Sequence, residues 1–250
     1  MRCSRLQIFA SADNEQTEQK SEEKSATWNA VLQGLNAAPV FALANQEGVP
    51  IQQRERDGQP LVLLFAAIDR AQDELEAARK ASPDLELQLL PVGLGVAYAQ
   101  LLEGKAVIVP GFAELSEAQD MQLAADEMSA GMLEGAGIDI PVVQWDENVL
   151  PLFGCFEMVR RRPDGSRFTP VFMSHKDAQA AFDKARAANP ERTAKFAVEV
   201  VPLPELVELA AAGKAKVPPR VIPPSESMLY LQQRSSGKRG VDSRDESNSH

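Results

Sequence analysis

Asp57–Pro83 reads DGQPLVLLFAAIDRAQDELEAARKASP, and Asp164–Pro190, DGSRFTPVFMSHKDAQAAFDKARAANP, aligns on it without a gap at a shift of 107 residues. Nine of the 27 pairs are identical: Asp57/Asp164, Gly58/Gly165, Phe65/Phe172, Ala71/Ala178, Gln72/Gln179, Ala78/Ala185, Arg79/Arg186, Ala81/Ala188 and Pro83/Pro190. Alanine is common enough to inflate the count, but matched Gly, Phe, Gln, Arg and Pro are not. A duplicated unit is the economical explanation. Each copy starts on an Asp-Gly turn, a strong hairpin signal. Each continues as an apolar strand and then as a helix carrying Ala71, Leu75 and Arg79, or Ala178, Phe182 and Arg186, at helical spacing. Ser174 with Asp177 forms a capping-box pattern at the second helix start, and Pro83 and Pro190 stop the two helices.

Outward from this core the match continues with small gaps. Pro39-Val40 aligns on Pro141-Val142, Leu90-Pro91 on Val201-Pro202, and Val109-Pro110 on Ile222-Pro223. Each unit therefore predicts an opening strand (Pro39–Ala44; Ile140–Trp145) and a second strand into the Asp-Gly turn. A third strand (Leu61–Ala67; Phe168–Met173), the helix and a fourth strand (Leu85–Pro91; Ala194–Val201) follow. A second helix, a short strand and a closing helix complete the unit. The closing helix is long in the first copy, Glu114 to Leu133, and short in the second, Ser225 to Gln233. The expected fold is α+β: two pseudo-symmetric repeats, each with an antiparallel sheet layered with helices. The expected organisation is a leader-like or disordered tail at 1–25, lobes at 26–135 and 136–234, and a disordered tail at 235–250. Val149–Phe156, VLPLFGCF, falls between the second unit's first strands as an apolar insertion, either a core strand or an exposed docking segment.

The 250 residues are 44% hydrophobic and 25% charged, enough for a sizeable core. The longest apolar run, Leu61 to Ile68, has the length of a buried strand and is too short for a membrane-spanning helix. The body is expected to be soluble, at most peripheral to a membrane through partners. Two cysteines, Cys3 and Cys155, are too few for a disulfide framework or a thiolate zinc site. The net charge is −10, from 26 bases and 36 acids. Ten of the acids lie between Ala106 and Val159, a span with no Lys or Arg, so one central segment carries the whole excess. Such a field argues against nucleic acid. Residues 1–12 carry Arg2 and Arg5 and no acid, and Ala10-Ser11-Ala12 has a small-x-small pattern; this is the flavour of an organelle leader.

Motifs for chemistry are sparse. Gly93-Leu94-Gly95-Val96-Ala97-Tyr98 resembles the start of a dinucleotide fingerprint, but Tyr98 replaces its third glycine, and the second unit has Leu203-Pro204-Glu205 at the matching place. No phosphate loop or Gly-x-Ser-x-Gly elbow is present. His175 follows Ser174 on the same helical turn, a poor geometry for a nucleophile and its base. No catalytic residue, metal ligand or cofactor is expected. Two features suit binding. The helix at 114–133 carries Leu115, Ala118, Met121, Ala125, Met128 and Met132 as a stripe, with acids and no bases opposite. The 149–156 run adds Phe153 and Phe156.

Several segments together resemble one family. Ala38-Pro39-Val40-Phe41-Ala42-Leu43-Ala44-Asn45 is similar to its Val-Pro-Val-Tyr-x-Val-x-Asn opening. Gly137-Ile138-Asp139-Ile140-Pro141-Val142-Val143-Gln144 is similar to its Gly-Val-Pro-Val-Phe-Gln segment. Arg167 through Asp177 resembles its aromatic-x-Pro-Val-Phe/Tyr-Phe-x-Lys-Glu-Asp run, and Val221-Ile222-Pro223-Pro224 its Phe-Ile-Pro-Pro. The family is the Tic twenty-two-like one, a soluble component of the chloroplast inner-envelope protein translocon with cyanobacterial relatives. The resemblance covers most of 30–234. It implies a non-enzymatic accessory factor that binds preproteins or their transit peptides in the envelope intermembrane space and meets translocon subunits. A non-cargo adaptor between those subunits, or a periplasmic factor in outer-membrane biogenesis, is the alternative. Leaders are basic and acid-poor, so Glu117, Asp120, Asp126 and Glu127 are the candidate electrostatic contacts. Met121, Met128, Met132, Phe153 and Phe156 are the candidate apolar ones.

Overall fold

The computed structural model describes residues 27–54, 58, 60–133, 145–146, 148–194 and 196–239. The first half builds one sheet from β1 (Pro39–Ala44), β2 (Gln52–Arg54), β3 (Pro60–Phe65), β4 (Gln88–Gly93) and β5 (Ala106–Val109). Its order is β2-β3-β1-β4, with β5 on β3. The second half builds another from β6 (Pro151–Gly154), β7 (Arg160–Arg161), β8 (Arg167–Phe172), β9 (Glu199–Pro202) and β10 (Pro219–Ile222), in the order β10-β8-β6-β9, with β7 on β8. The helices are α1 (27–35), α2 (Ile68–Ala81), α3 (Leu94–Leu102), α4 (Phe112–Leu133), α5 (His175–Ala188), α6 (Pro190–Thr193), α7 (Leu203–Ala211) and α8 (Ser225–Arg239). This is the α+β layering the sequence predicts. The sheets are antiparallel except at the closing strands: β5 on β3 and β10 on β8 are parallel. Each closing strand returns through a strand flanked by helices (α2, β4 and α3; α5, α6, β9 and α7), the long crossover that parallel pairing requires.

Register ties the two sheets together in detail. Phe41 faces Phe65 across β1 and β3, and Phe153 faces Phe172 across β6 and β8. Ala66 N–H donates to Val109 O (2.9 Å), and Met173 N–H donates to Ile222 O (3.0 Å). Leu94 N–H reaches Ala38 O (2.8 Å), and Leu203 N–H reaches Leu150 O (3.0 Å). Both hairpins turn on a glycine at positive φ, Gly58 at 82° and Gly165 at 84°, where a Cβ would be strained.

This register corrects two alignments. The second half's counterpart of β1 is Pro151–Gly154, inside the supposed insertion, and not Ile140–Trp145. Residues 140–144 lie outside the described set, and Trp145 is in no strand. Pro39-x-Phe41 answers Pro151-x-Phe153, which puts the apolar run on the sheet's central strand. Likewise Val92-Gly93, not Leu90-Pro91, answers Val201-Pro202, because both pairs lie opposite the start of the first strand (Pro39 or Pro151). The closing helix of the second half is also longer than expected and runs to Arg239, into the segment read as a tail. The leader-like segment 1–25 lies outside the described residues.

Strand alternation sorts side chains to two faces. Val40, Ala42, Leu64 and Ala66 of the first half join Leu152, Val171 and Met173 of the second in one continuous core, with Leu94, Ala97 and Tyr98 of α3, Leu203, Leu206 and Val207 of α7, and Leu35 of α1. The opposite faces form separate outer cores. Phe41, Phe65 and Leu89 pack under α2, and Phe153 and Phe172 pack under α5. The closing helices are exchanged. Leu115, Ala118 and Met121 of α4, at the end of the first half, complete the second sheet's outer core. Tyr230 and Leu231 of α8, at the end of the second half, complete the first's. Tyr230 sets its ring edge-on to Phe41 at 5.9 Å, and Arg234 donates to Leu89 O and to Gln88 Oε1.

The glycines of the apparent dinucleotide fingerprint have a packing role. A Cβ on Gly95 would lie 1.9 Å from Leu32 O, and one on Gly93 would lie 2.5 Å from Asn36 Oδ1. The end of α1 sits that close to the start of α3, and Asn36 Oδ1 accepts from Val96 N–H (3.0 Å). Asn36 thus serves an α3 start that has no side-chain cap of its own.

Candidate partner-binding surfaces

The acidic helix α4 is only partly a surface. Phe112 is 65% exposed and Leu123 61%, whereas Ala118 is fully buried and Leu115 and Met121 are half-buried against the second sheet. Met121 is therefore a packing residue on its inner side. Of the predicted acids, Asp120 is exposed. Glu117 is half-buried, with Oε2 3.3 Å from His175 Nδ1, and the His175 ring leans on Phe153 at 5.2 Å. That contact explains a lone histidine at a helix start. Asp126, Glu127, Met128 and Met132 lie on α4, and their side chains fall outside the described set. The Ser174 cap is present, its Oγ accepting from Asp177 N–H (3.4 Å). Close by, burial pushes the Glu114 carboxyl above its usual range, and the carboxylates of Asp69 and Glu226 add to that; its own backbone N–H and the Ser174 hydroxyl oppose it.

Phe153 is fully buried, so it contacts no partner in the folded chain. Phe156, next to it but one turn out of the strand, is half-buried and lines a small cleft of about 390 Å³ with Val159, Leu209 and Val217.

A larger cleft adjoins that one. It has a volume of about 600 Å³ and lies between α1, α7 and β10. Its floor is apolar: Val31 and Leu35 from α1, Leu206, Val207 and Ala210 from α7, and Val221 from β10. Arg162 and Arg220 line it as well, each with its guanidinium carbon 5.5 Å from the centre of the Phe168 ring. Sequence reasoning missed this cleft because no motif marks it. The one usable signal was the apolar spacing Leu203, Leu206, Val207 and Ala210, which reads as an ordinary core face.

Among the described residues no group of three or more His, Cys, Asp or Glu is placed to hold a metal, and no helix is long and apolar enough to cross a membrane. Cys155 is a buried free thiol, pushed above its ordinary pKa first by burial and then by the neighbouring Glu157 carboxylate.

Comparison with known proteins agrees with the architecture. An Anabaena Tic22, described as a protein-transport protein, superposes with a TM-score of 0.56 at 20% identity, over 82% of this chain and 96% of that one. Tic22 from Plasmodium falciparum superposes with a TM-score of 0.57 at 15% identity, over 83% of this chain and 98% of that one. At these identities the two show the shared fold. No curated protein matches the sequence. The Tic22-like family model matches residues 1–228. The family's members are non-enzymatic components of protein transport, and this chain belongs to the Tic22-like family.

Proposed function

We propose that this chain is a chaperone-like accessory factor that holds preproteins in transit through the chloroplast envelope intermembrane space. The observation that carries this reading is the open apolar cleft of about 600 Å³ between α1, α7 and β10. A passenger crossing an aqueous space is unfolded and exposes apolar side chains. A concave site with a wide apolar floor and few polar groups suits such a segment without demanding one sequence. Family membership supports transport; the compartment, the passengers and the translocon partners belong to the proposal. The duplication also belongs to it, with two lobes at 26–135 and 136–234 descended from one unit and then joined by the exchanged helices.

The test is a photo-crosslinking residue at Ala210, on the cleft floor, in the full-length chain presented to an arrested preprotein. Crosslinks to the passenger support the reading. Crosslinks confined to translocon subunits would establish the adaptor role in its place. In a cyanobacterial setting, crosslinks to an outer-membrane precursor in the periplasm would move the same site to that compartment.

A further inference from the structure

We infer that the cleft selects passenger segments in which apolar residues are flanked by Asp or Glu, and that it disfavours the basic segments of leaders. The inference rests on the proposed use of the cleft for polypeptide. The chain is acidic overall, yet the cleft's rim is not. Val159–Arg167, VRRRPDGSR, holds four arginines against Asp164, and Lys214–Arg220, KAKVPPR, holds three bases and no acid. These two stretches supply Arg162 and Arg220 to the cleft, with Arg160, Arg161, Arg167, Lys214 and Lys216 exposed around them.

Their local compensation is weak. Among the described residues neither Arg162 nor Arg220 is in an ion pair. Asp164, in the hairpin turn, attracts Arg162; the Ser166 hydroxyl and N–H lower its pKa more than that cation does, and its Oδ1 accepts from both (2.7 and 2.8 Å). Both guanidiniums sit 5.5 Å from the centre of the same buried Phe168 ring, within reach of a cation–π attraction that favours these positions. Planar cations held in place lose less freedom on meeting a carboxylate than mobile lysines would. A basic leader is repelled there; an acidic flank is attracted.

The cleft's shape favours a peptide over an anionic membrane. It is concave, and Ala30, Gly34, Ala210 and Gly213 let a backbone approach the floor closely. A bilayer surface cannot enter it. The cleft lies away from α4, whose Leu115, Ala118 and Met121 pack in the outer core of the second sheet.

The experiment uses the full chain and fluorescein-labelled peptides that share a Leu-Ile-Phe centre and differ only in their flanks: Glu, Gln or Lys. Two exposed ion pairs should give the Glu peptide about a tenfold advantage over the Lys peptide at ~20 mM salt, shrinking to about twofold at ~0.5 M. Arg162→Gln with Arg220→Gln should remove the advantage of the Glu peptide over the Lys peptide, while the paired Arg→Lys variant should retain most of it. Equal or tighter binding of the Lys peptide would overturn the inference and leave the proposed function standing. If even the Gln peptide fails to bind, or binds equally well when Ala210→Trp fills the cleft, both fail. Arginine-dependent binding to phosphatidylglycerol vesicles in place of peptide would also overturn it, in favour of a membrane.

Discussion

The inner core joins side chains from both sheets, so a lesion on one outer face should destabilise the whole molecule. Phe172→Ala is the perturbation. Phe172 is 5% exposed in the second sheet's outer core, beside Trp145 and Phe153. Removing it costs about 3–5 kcal/mol once the cavity is counted. With a urea slope near 3 kcal/mol/M for a chain of this size, the unfolding midpoint should fall by about 1–1.7 M. Two tryptophans allow the halves to be read separately. Trp145 lies in the damaged outer core, and Trp28 packs on the inner core 6.5 Å from Tyr98. Trp145 Nε1 is buried without a hydrogen-bond partner among the described residues, so Trp145→Phe breaks none of their hydrogen bonds, and Trp28→Phe gives the complementary reporter. In each single-tryptophan background, fluorescence should report the same lowered midpoint. A drop confined to the Trp145 signal, with Trp28 still at the parental midpoint, would show two independent cores and refute the joined inner core.

Three further outcomes follow from local geometry. Gly95→Ala should destabilise by about 1–3 kcal/mol in thermal unfolding, because the new Cβ meets the Leu32 carbonyl at 1.9 Å, whereas Gly34→Ala, with nothing within 4 Å, should be neutral or slightly stabilising. Tyr230→Ala should cut hydrogen-exchange protection in β1 and β4, which α8 covers from the other half of the chain, before it affects β6. A buried carboxyl with a raised pKa contributes stability that is complete below its unfolded value, near 4.5, and is lost as pH rises through the higher folded value. Glu114→Gln should therefore flatten the decline in melting temperature between mildly acidic and neutral pH; an unchanged slope would remove Glu114 as its source.

Much of the fold was legible because its periodicities are local. The ungapped match around Phe65 and Phe172 placed both phenylalanines in equivalent core strands, and the Ser174 cap and both Asp-Gly turns follow from residue chemistry alone. The misplaced first strand has a physical cause. Both Ile140–Trp145 and Val149–Phe156 are apolar and of strand length, and propensity does not rank two such segments. Pairing does: only the second puts Phe153 opposite Phe172 as Phe41 lies opposite Phe65. The exchange of α4 and α8 was not legible for a related reason. The Leu115–Ala118–Met121 stripe states that a face is buried and is silent on which sheet buries it. The cleft was hidden most completely, because its floor is made of residues that any core would use.

The two halves share a connectivity, so the places where they differ are where a surface can acquire a role. At the start of α3 the α1 backbone at Leu32 comes within a Cβ's reach of Gly95, and the Asn36 side chain just after α1 comes within reach of Gly93. The corresponding positions before and within α7 are Pro202 and Pro204. The first half has no side chain at these two places, and the second half has a pyrrolidine ring at each. The side of α7 carrying Leu206, Val207 and Ala210 instead faces the outer flank of α1 across the cleft. The same half carries the arginine-rich hairpin, where the first half has Gln52 to Arg54 followed by Asp57-Gly58. The second half thus presents an apolar cleft that Arg162 and Arg220 also line, and the exchanged helices α4 and α8 fasten that half to the first.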